Sequence, residues 1–264
     1  MPLPELLNWD NTRIALHQAA QVLGAIRKQA APRQPLALHL TLRVTPAGVT
    51  TGPLDFGGEL ALDYGRAALI YRQDGDEVGQ TALDGRSQAA LADAALDLLR
   101  PAGVRLELPA IDFKTEPAPP VDQEQAAAFA QAQYRLYTAL ARFRAGLFGA
   151  LSPLALWSHN FDTAFLLLAN PDMTDEHLHA GFGFEPFTPD LPRPYVYAYI
   201  RPTPAGLAGA PLPPPARWHT TGWTGVVIGY DELAGQADPE HTLETALAGV
   251  WNVFRPFLAS GLPG

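Results

Sequence analysis

The run Leu36-Ala37-Leu38-His39-Leu40-Thr41-Leu42-Arg43-Val44 sets leucine or valine at every second position, with Ala37, His39, Thr41 and Arg43 between them. A period of two puts alternate side chains on opposite faces of a strand, so one buried strand face is expected here and one face carrying His39, Thr41 and Arg43. Thr45-Pro46-Ala47-Gly48 then turns, and further strands are expected at 49–52, 59–64 and 66–73. The links between them are too short for a crossover helix, which makes the sheet antiparallel. Upstream, Leu16, Ala19, Leu23, Ile26 and Ala30 step by three and four, the stripe of a helix over about 11–31 that Pro32 ends.

Downstream, Asp74-Gly75-Asp76 reads as a turn and Ser87 as the N-cap of a helix with Leu91, Ala95 and Leu98 on its buried stripe. Val104, Leu106 and Leu108 alternate as a strand. Four prolines between Pro109 and Pro120 mark a linker. Asp122 with Gln125 has the form of a capping box and opens the longest helix, with the stripe Phe129, Leu136, Leu140, Phe143 and Leu147 before Gly149. Short strands are expected near 154–157, 163–168, 195–200 and 223–230. The stretch 177–183 reads as a loop because of Gly181 and Gly183. Ten of the 26 prolines fall between Pro186 and Pro215, which excludes helix there. Asp238-Pro239 is an N-cap and first helical residue, followed by the stripe Leu243, Leu247, Val250 and Phe254, with Pro256 expected to end the helix. The expected fold class is therefore α+β, antiparallel sheet packed with about four long helices. It forms a single module over 1–264, within which two similar lobes, 1–115 and 120–264, would be joined by the linker at 109–120.

The 264 residues include 18 basic and 27 acidic side chains, a formal charge of −9 with no basic run, which argues against nucleic acid and anionic membrane surfaces as partners. With no cysteine, the chain has no disulfide, thiolate nucleophile or iron–sulfur cluster. Neither Lys28 nor Lys114 follows a glycine, so there is no P-loop, and no Gly-x-Ser-x-Gly or His-Glu-x-x-His occurs. Gly181-Phe182-Gly183 has Pro186 where a dinucleotide loop needs its third glycine. No cofactor is expected. The first ten residues lack a charged and apolar leader pattern, and no apolar stretch reaches membrane-spanning length, so a cytoplasmic protein is expected.

Several short motifs occur in a fixed order: Trp9-Asp10-Asn11-Thr12-Arg13, Gln21-Val22-Leu23-Gly24, His39-Leu40-Thr41-Leu42 with Val44-Thr45, Gly149 with Ser152-Pro153, Phe161-Asp162-Thr163-Ala164, Gly183-Phe184 with Pro186, Tyr197-Ala198-Tyr199, and Tyr230-Asp231-Glu232 with Asp238-Pro239. In these, over nearly its whole length, the chain resembles a bacterial family known only as a domain of unknown function. The resemblance implies a fold and a single full-length module rather than an activity. Against the family pattern, the chain has Ala25 and Ala150 where lysines follow glycines, Ala155 in place of a histidine, and Leu178 in place of a glutamate. It also lacks arginines near Leu167 and Pro171. If those ionisable groups form a polar site in the family, this chain lacks much of it; if they are surface ion pairs, their loss is neutral.

Four residues are candidates for ligand contact. His39 lies in the expected strand beside Thr41 and Arg43. Trp9 and Arg13, at a helix start, could hold an anion with free backbone N–H groups, although such a tryptophan is more often a plug and such an arginine a surface ion pair. Asp162 could pair with His159 as acid and base, or satisfy local N–H groups. His177 and His179 are a weak metal pair, with Asp172, Asp175 or Glu176 as a third ligand. Tyr195, Tyr197 and Tyr199 share one strand face and could stack on a planar ligand, although tyrosine ladders are common in ordinary sheets. The leading expectation is a non-catalytic protein that binds a small ligand or another protein. The alternatives are a hydrolase, metal-assisted or acid/base, and a scaffold that forms a homodimer.

Overall fold

In the computed structural model, which describes residues 1–109, 113–170 and 174–259, only the second half of the Leu36–Val44 run is a strand. Strand β1 spans Thr41–Thr45, with Leu42 and Val44 buried and Arg43 exposed, as a period of two requires. Residues Pro35–Leu40 form a 3-10 turn instead, in which Leu36 and Ala37 take left-handed φ of 55° and 53°. Local and helix-borne groups satisfy this segment in place of a ladder. Thr41 Oγ1 donates to Leu38 O at 2.8 Å, Arg27 Nε donates to His39 O at 3.2 Å, and Gln34 N donates to His39 Nδ1 at 3.4 Å. His39 therefore sits in a turn, and no sheet face carries it.

The chain divides into two compact units that interleave along the sequence. The amino-terminal unit comprises Leu6–Tyr134 and Leu156–Phe161. Its helix α1 (Asp10–Ala30) buries Leu16, Ala19, Leu23, Ile26 and Ala30 along one stripe. After β1 come β2 (Gly48–Thr50), β3 (Glu59–Asp63), β4 (Ala68–Gln73) and β5 (Asp76–Ala82), each antiparallel to the one before. Strand β5 lies at the sheet edge and lacks an apolar alternation, with Val78 60% exposed, and it is held by bonds such as Arg66 Nη1 to Glu77 Oε2 at 2.7 Å. Helix α2 (Gln88–Leu99) is capped by Ser87, whose side chain accepts from Ala90 N. Residues 104–108 are not a strand: their alternation finds no ladder partner. Of the expected linker at 109–120, residues 110–112 lie outside the described residues.

Helix α3 (Gln123–Ala145) starts in this unit, with Asp122 Oδ1 accepting from Glu124 N and Gln125 N. Gln125 does not close the capping box; its Oε1 accepts from Leu7 N at 3.0 Å. The core gathers Trp9, Tyr64, Phe129 and Phe161, with ring centroids 4.6 Å apart for Trp9 and Phe129 and 5.7 Å for Phe129 with both Tyr64 and Phe161.

The carboxy-terminal unit comprises Met1–Glu5, Arg135–Ala155 and Asp162–Gly264. After β6 (Ala150–Leu151) and β7 (Ala155–Trp157), whose Leu156 and Trp157 belong to the amino-terminal unit and pair with β1 there, this unit's sheet is built from β8 (Asp162–Leu168), β9 (His179–Glu185), β10 (Tyr195–Arg201), β11 (Arg217–His219) and β12 (Gly225–Gly229). The order is β8-β9-β10-β12-β11, all antiparallel, with β6 beside β8. Strand β9 replaces the expected loop at 177–183. After the short helix α4 (Tyr230–Ala234), helix α5 (Pro239–Ala259) runs through Pro256, which removes one i to i−4 bond in the last turn without ending the helix. One face of this sheet is apolar: Phe182 packs against Phe143 of α3 at 5.1 Å, Phe165 at 5.4 Å and Phe254 of α5 at 6.1 Å. Among the described residues no helix is long and apolar enough to cross a membrane.

Candidate functional site

The opposite face of the same sheet is polar and aromatic. Alternation puts Asp162, Ala164 and Leu166 of β8, His179, Gly181, Gly183 and Glu185 of β9, and Tyr195, Tyr197 and Tyr199 of β10 on it. The register sets them in rows: Ala164, Gly183 and Tyr197 across three strands, Leu166, Gly181 and Tyr199 in the next, and Glu185 opposite Tyr195. Thr163 pairs with Phe184, so Asp162 falls in the row of Glu185.

The glycines decide how the tyrosines lie. A Cβ on Gly183 would come within 2.6 Å of the Tyr197 ring and 2.8 Å of Ala164 Cβ, and one on Gly181 would strike the Tyr199 ring. Each ring thus lies down over a bare backbone position, the close approach for which glycine is kept inside a strand. Tyr197 and Tyr199 end near-parallel, 16° apart with centroids 6.0 Å apart, and both are half-buried. Trp223 stands edge-on to Tyr197 at 6.5 Å and meets His219 at 4.9 Å. His179 meets Tyr199 at 5.9 Å.

Asp162 lies beneath this aromatic surface, 5% exposed. The Tyr197 hydroxyl donates to its Oδ2 at 2.6 Å, while Oδ1 is buried with no hydrogen-bond partner. Burial pushes its carboxyl up to about 6, against the opposing hydrogen bonds of Tyr197 and its own backbone. Burial, with the Asp162 charge next, drives the Tyr197 phenol far above its ordinary value, and Tyr199 to about 12. Burial also raises Tyr195, whose hydroxyl lies 3.3 Å from Thr188 Oγ1. The pair can present a carboxylate that accepts one more donor, or a carboxylic acid that gives up a proton near neutrality.

The sequence candidates do not converge on one place. Trp9 is a core plug, 3% exposed and against Phe129. Arg13 forms an i, i+3 ion pair with Asp10 at 3.5 Å. His39 meets the other end of α1 through Arg27, about 21 Å along the helix axis from Arg13 at 1.5 Å per residue. His159 is an edge contact of Trp157, and its carbonyl accepts from His17 Nε2 at 3.0 Å; burial lowers the pKa of both histidines. Asp162 takes Tyr197 as its hydrogen-bond partner. His179 Nδ1 bonds the His177 carbonyl at 2.8 Å. Asp172 lies outside the described residues, and among those described no group of three histidine, aspartate or glutamate side chains could hold a metal. The sequence did not single out Glu185 or Trp223, and it read Gly181 and Gly183 as loop residues. Their signal is Gly-x-Gly-x-Glu followed by Tyr-x-Tyr-x-Tyr, two period-two runs that place small residues opposite large rings.

No curated protein and no solved structure matches the chain. The model of a family of unknown function, DUF5996, matches residues 2–253, and the chain belongs to that family.

Proposed function

We propose that the chain is a non-catalytic, small-ligand-binding protein whose ligand lies on the Tyr197–Tyr199 face and gives a hydrogen bond to Asp162. The observation that carries this reading is the buried Asp162 Oδ1 without a partner. A buried acceptor left unmade costs roughly 1–3 kcal/mol, a cost that a bound donor removes. The half-buried tyrosine rings beside it supply flat apolar area, the usual composition of a small-molecule site with a few placed polar groups. Trp9, Arg13 and His39 have no part in this reading.

The test is a thermal-shift screen of central metabolites on the wild type, Asp162→Asn and Tyr197→Phe. A ligand at a hundred times its dissociation constant adds roughly 2.7 kcal/mol and raises the midpoint by about 5 °C. A shift lost in both variants supports the site. A ligand that shifts all three proteins equally refutes it. Acid/base hydrolysis is a second reading, favoured by a carboxyl held near neutrality; turnover of an ester or amide panel, abolished by Asp162→Asn, would move the assignment there.

A further inference from the structure

Resting on that placement of the site, the charges around it identify the ligand class. The charges acting most strongly on Tyr195 are Glu185, Asp162 and Asp190, all negative, and Tyr197 feels Asp162 and Glu185. Among the described residues Asp162 accepts from the Tyr197 hydroxyl, and no cation acts on its carboxyl. The arginines of the region are at the margin or engaged. Arg217 pairs with Glu232 at 2.6 Å, Arg193 pairs with Asp231 at 2.6 Å, and exposed Arg201 lies one row beyond Tyr199. Asp190 reaches the bend at Gly222, beside Trp223, where a Cβ would lie 2.9 Å from its Oδ2. On Tyr199 the Asp162 charge acts first and the Arg201 cation next, so acidic groups flank the Tyr195 and Tyr197 end of a wall of π faces. Tyr197 and Tyr199 lie flat on glycines, so each turns one ring face to the backbone and the other away from the sheet.

Such a wall repels carboxylates and phosphates and attracts an ammonium, both through the ring quadrupoles and through the carboxylates. We infer that the site takes a small organic cation, a protonated amine or alkylammonium, with its nitrogen against the Tyr197 and Tyr199 rings and directed to Asp162 Oδ1. Glu185 adds field rather than a direct contact. The net charge of −9 favours the approach of such a ligand.

The experiment titrates the full chain, its tyrosine rings labelled with carbon-13, with tetramethylammonium and n-propylammonium chlorides. Sodium propionate and n-propanol serve as size-matched controls at equal ionic strength, and ring signals are assigned with Tyr197→Phe and Tyr199→Phe. The ammonium probes are expected to shift the Tyr197 and Tyr199 signals with millimolar dissociation constants, and the controls to leave them in place. Asp162→Asn weakens n-propylammonium ~10- to 100-fold, the range of a lost charge-assisted bond. Tyr199→Leu, which removes a π face but keeps bulk, and Glu185→Gln carry the test if Asp162→Asn fails to fold, each expected to weaken binding a few-fold. Propionate or propanol shifting these signals while the ammonium ions do not overturns the cation assignment and leaves the site standing. No probe moving either signal, with a metabolite bound independently of Asp162, overturns both.

Discussion

Tyr197 and Asp162, 35 residues apart, share a 2.6 Å hydrogen bond on the polar face of the carboxy-terminal sheet, the phenol donating and Oδ2 accepting. The bond joins strands β10 and β8 across β9, and it is possible because Gly183 between them has no side chain to lift the Tyr197 ring.

Removing the donor should therefore cost more when Asp162 is ionised than when it is protonated. Tyr197→Phe is expected to lower unfolding free energy by about 1 kcal/mol at pH 5 and by about 2–3 kcal/mol at pH 8, because hydrogen bonds to charged groups are the stronger ones. Urea unfolding at the two pH values measures the difference. Equal losses would mean that the phenol does not serve the carboxylate.

The Asp162 carboxyl titrates near 6 in the folded chain against 3.8 as its ordinary value. A raised acid pKa stabilises the fold below the unfolded value, where both states hold the proton. That contribution is lost as pH rises through the folded value. From pH 4 to pH 7 the wild type is expected to lose about 2 kcal/mol on this account. Asp162→Asn should remove this part of the slope, and Tyr197→Phe, which takes away a bond that holds the pKa down, should move the fall to higher pH. A pH-stability profile of Asp162→Asn parallel to the wild type would refute the assignment.

Most helices were legible because burial of one stripe leaves a period of three and four: the stripes on α1, α3 and α5 and the Ser87, Asp122 and Asp238 caps are all formed. The sheet was legible where alternation is paired, as at β3, β4, β8 and β10, and misread where it is not. Leu36 to Leu40 alternate as well as Leu42 and Val44 do, yet side chains satisfy that backbone in a turn, and periodicity carries no information about partners. Strand β9 was hidden by Gly181 and Gly183, which suit a loop until the rings that lie on them are known. The same limit governs the site: Asp162 could be named from local sequence, but its partner lies two strands away. The Gly24 of α1 likewise acquires its reason only from packing, since a Cβ there would collide with Ser158.

The glycine floor is open to direct test. Gly183→Ala places a methyl within 2.6 Å of the Tyr197 ring and 2.8 Å of Ala164, and both neighbours are held by the sheet. Overpacking of this kind costs about 1–3 kcal/mol, and the displaced ring should give up Asp162. Gly209→Ala, where a Cβ meets nothing within 4 Å, is the control and should be near neutral. Thermal denaturation gives the stabilities. A Gly183→Ala protein as stable as the control, with an unchanged Tyr197 ring signal, would show that the ring does not rest on the backbone.

Arg135 ties three segments of the carboxy-terminal unit together. Its Nη2 donates to Glu240 Oε2 at 2.8 Å and to Met1 O at 2.6 Å, and its Nη1 donates to Pro2 O at 2.6 Å, so α3 holds both α5 and the chain start. The guanidinium hydrogen bond keeps the Glu240 carboxyl below the usual carboxylate range. The stability this contributes is present at neutral pH and is lost as pH falls through that depressed value. Arg135→Ala is expected to cost about 2 kcal/mol at pH 7, as a charge-assisted bond does, with the deficit shrinking once Glu240 is protonated. Arg135→Lys should recover less than half, because an ammonium cannot reach the carboxylate and two carbonyls in the planar fork geometry. Chemical unfolding at pH 7 and pH 3 distinguishes the cases. An Arg135→Ala deficit that stays constant over that range would assign the loss to packing of the arginine stem and not to the ion pair.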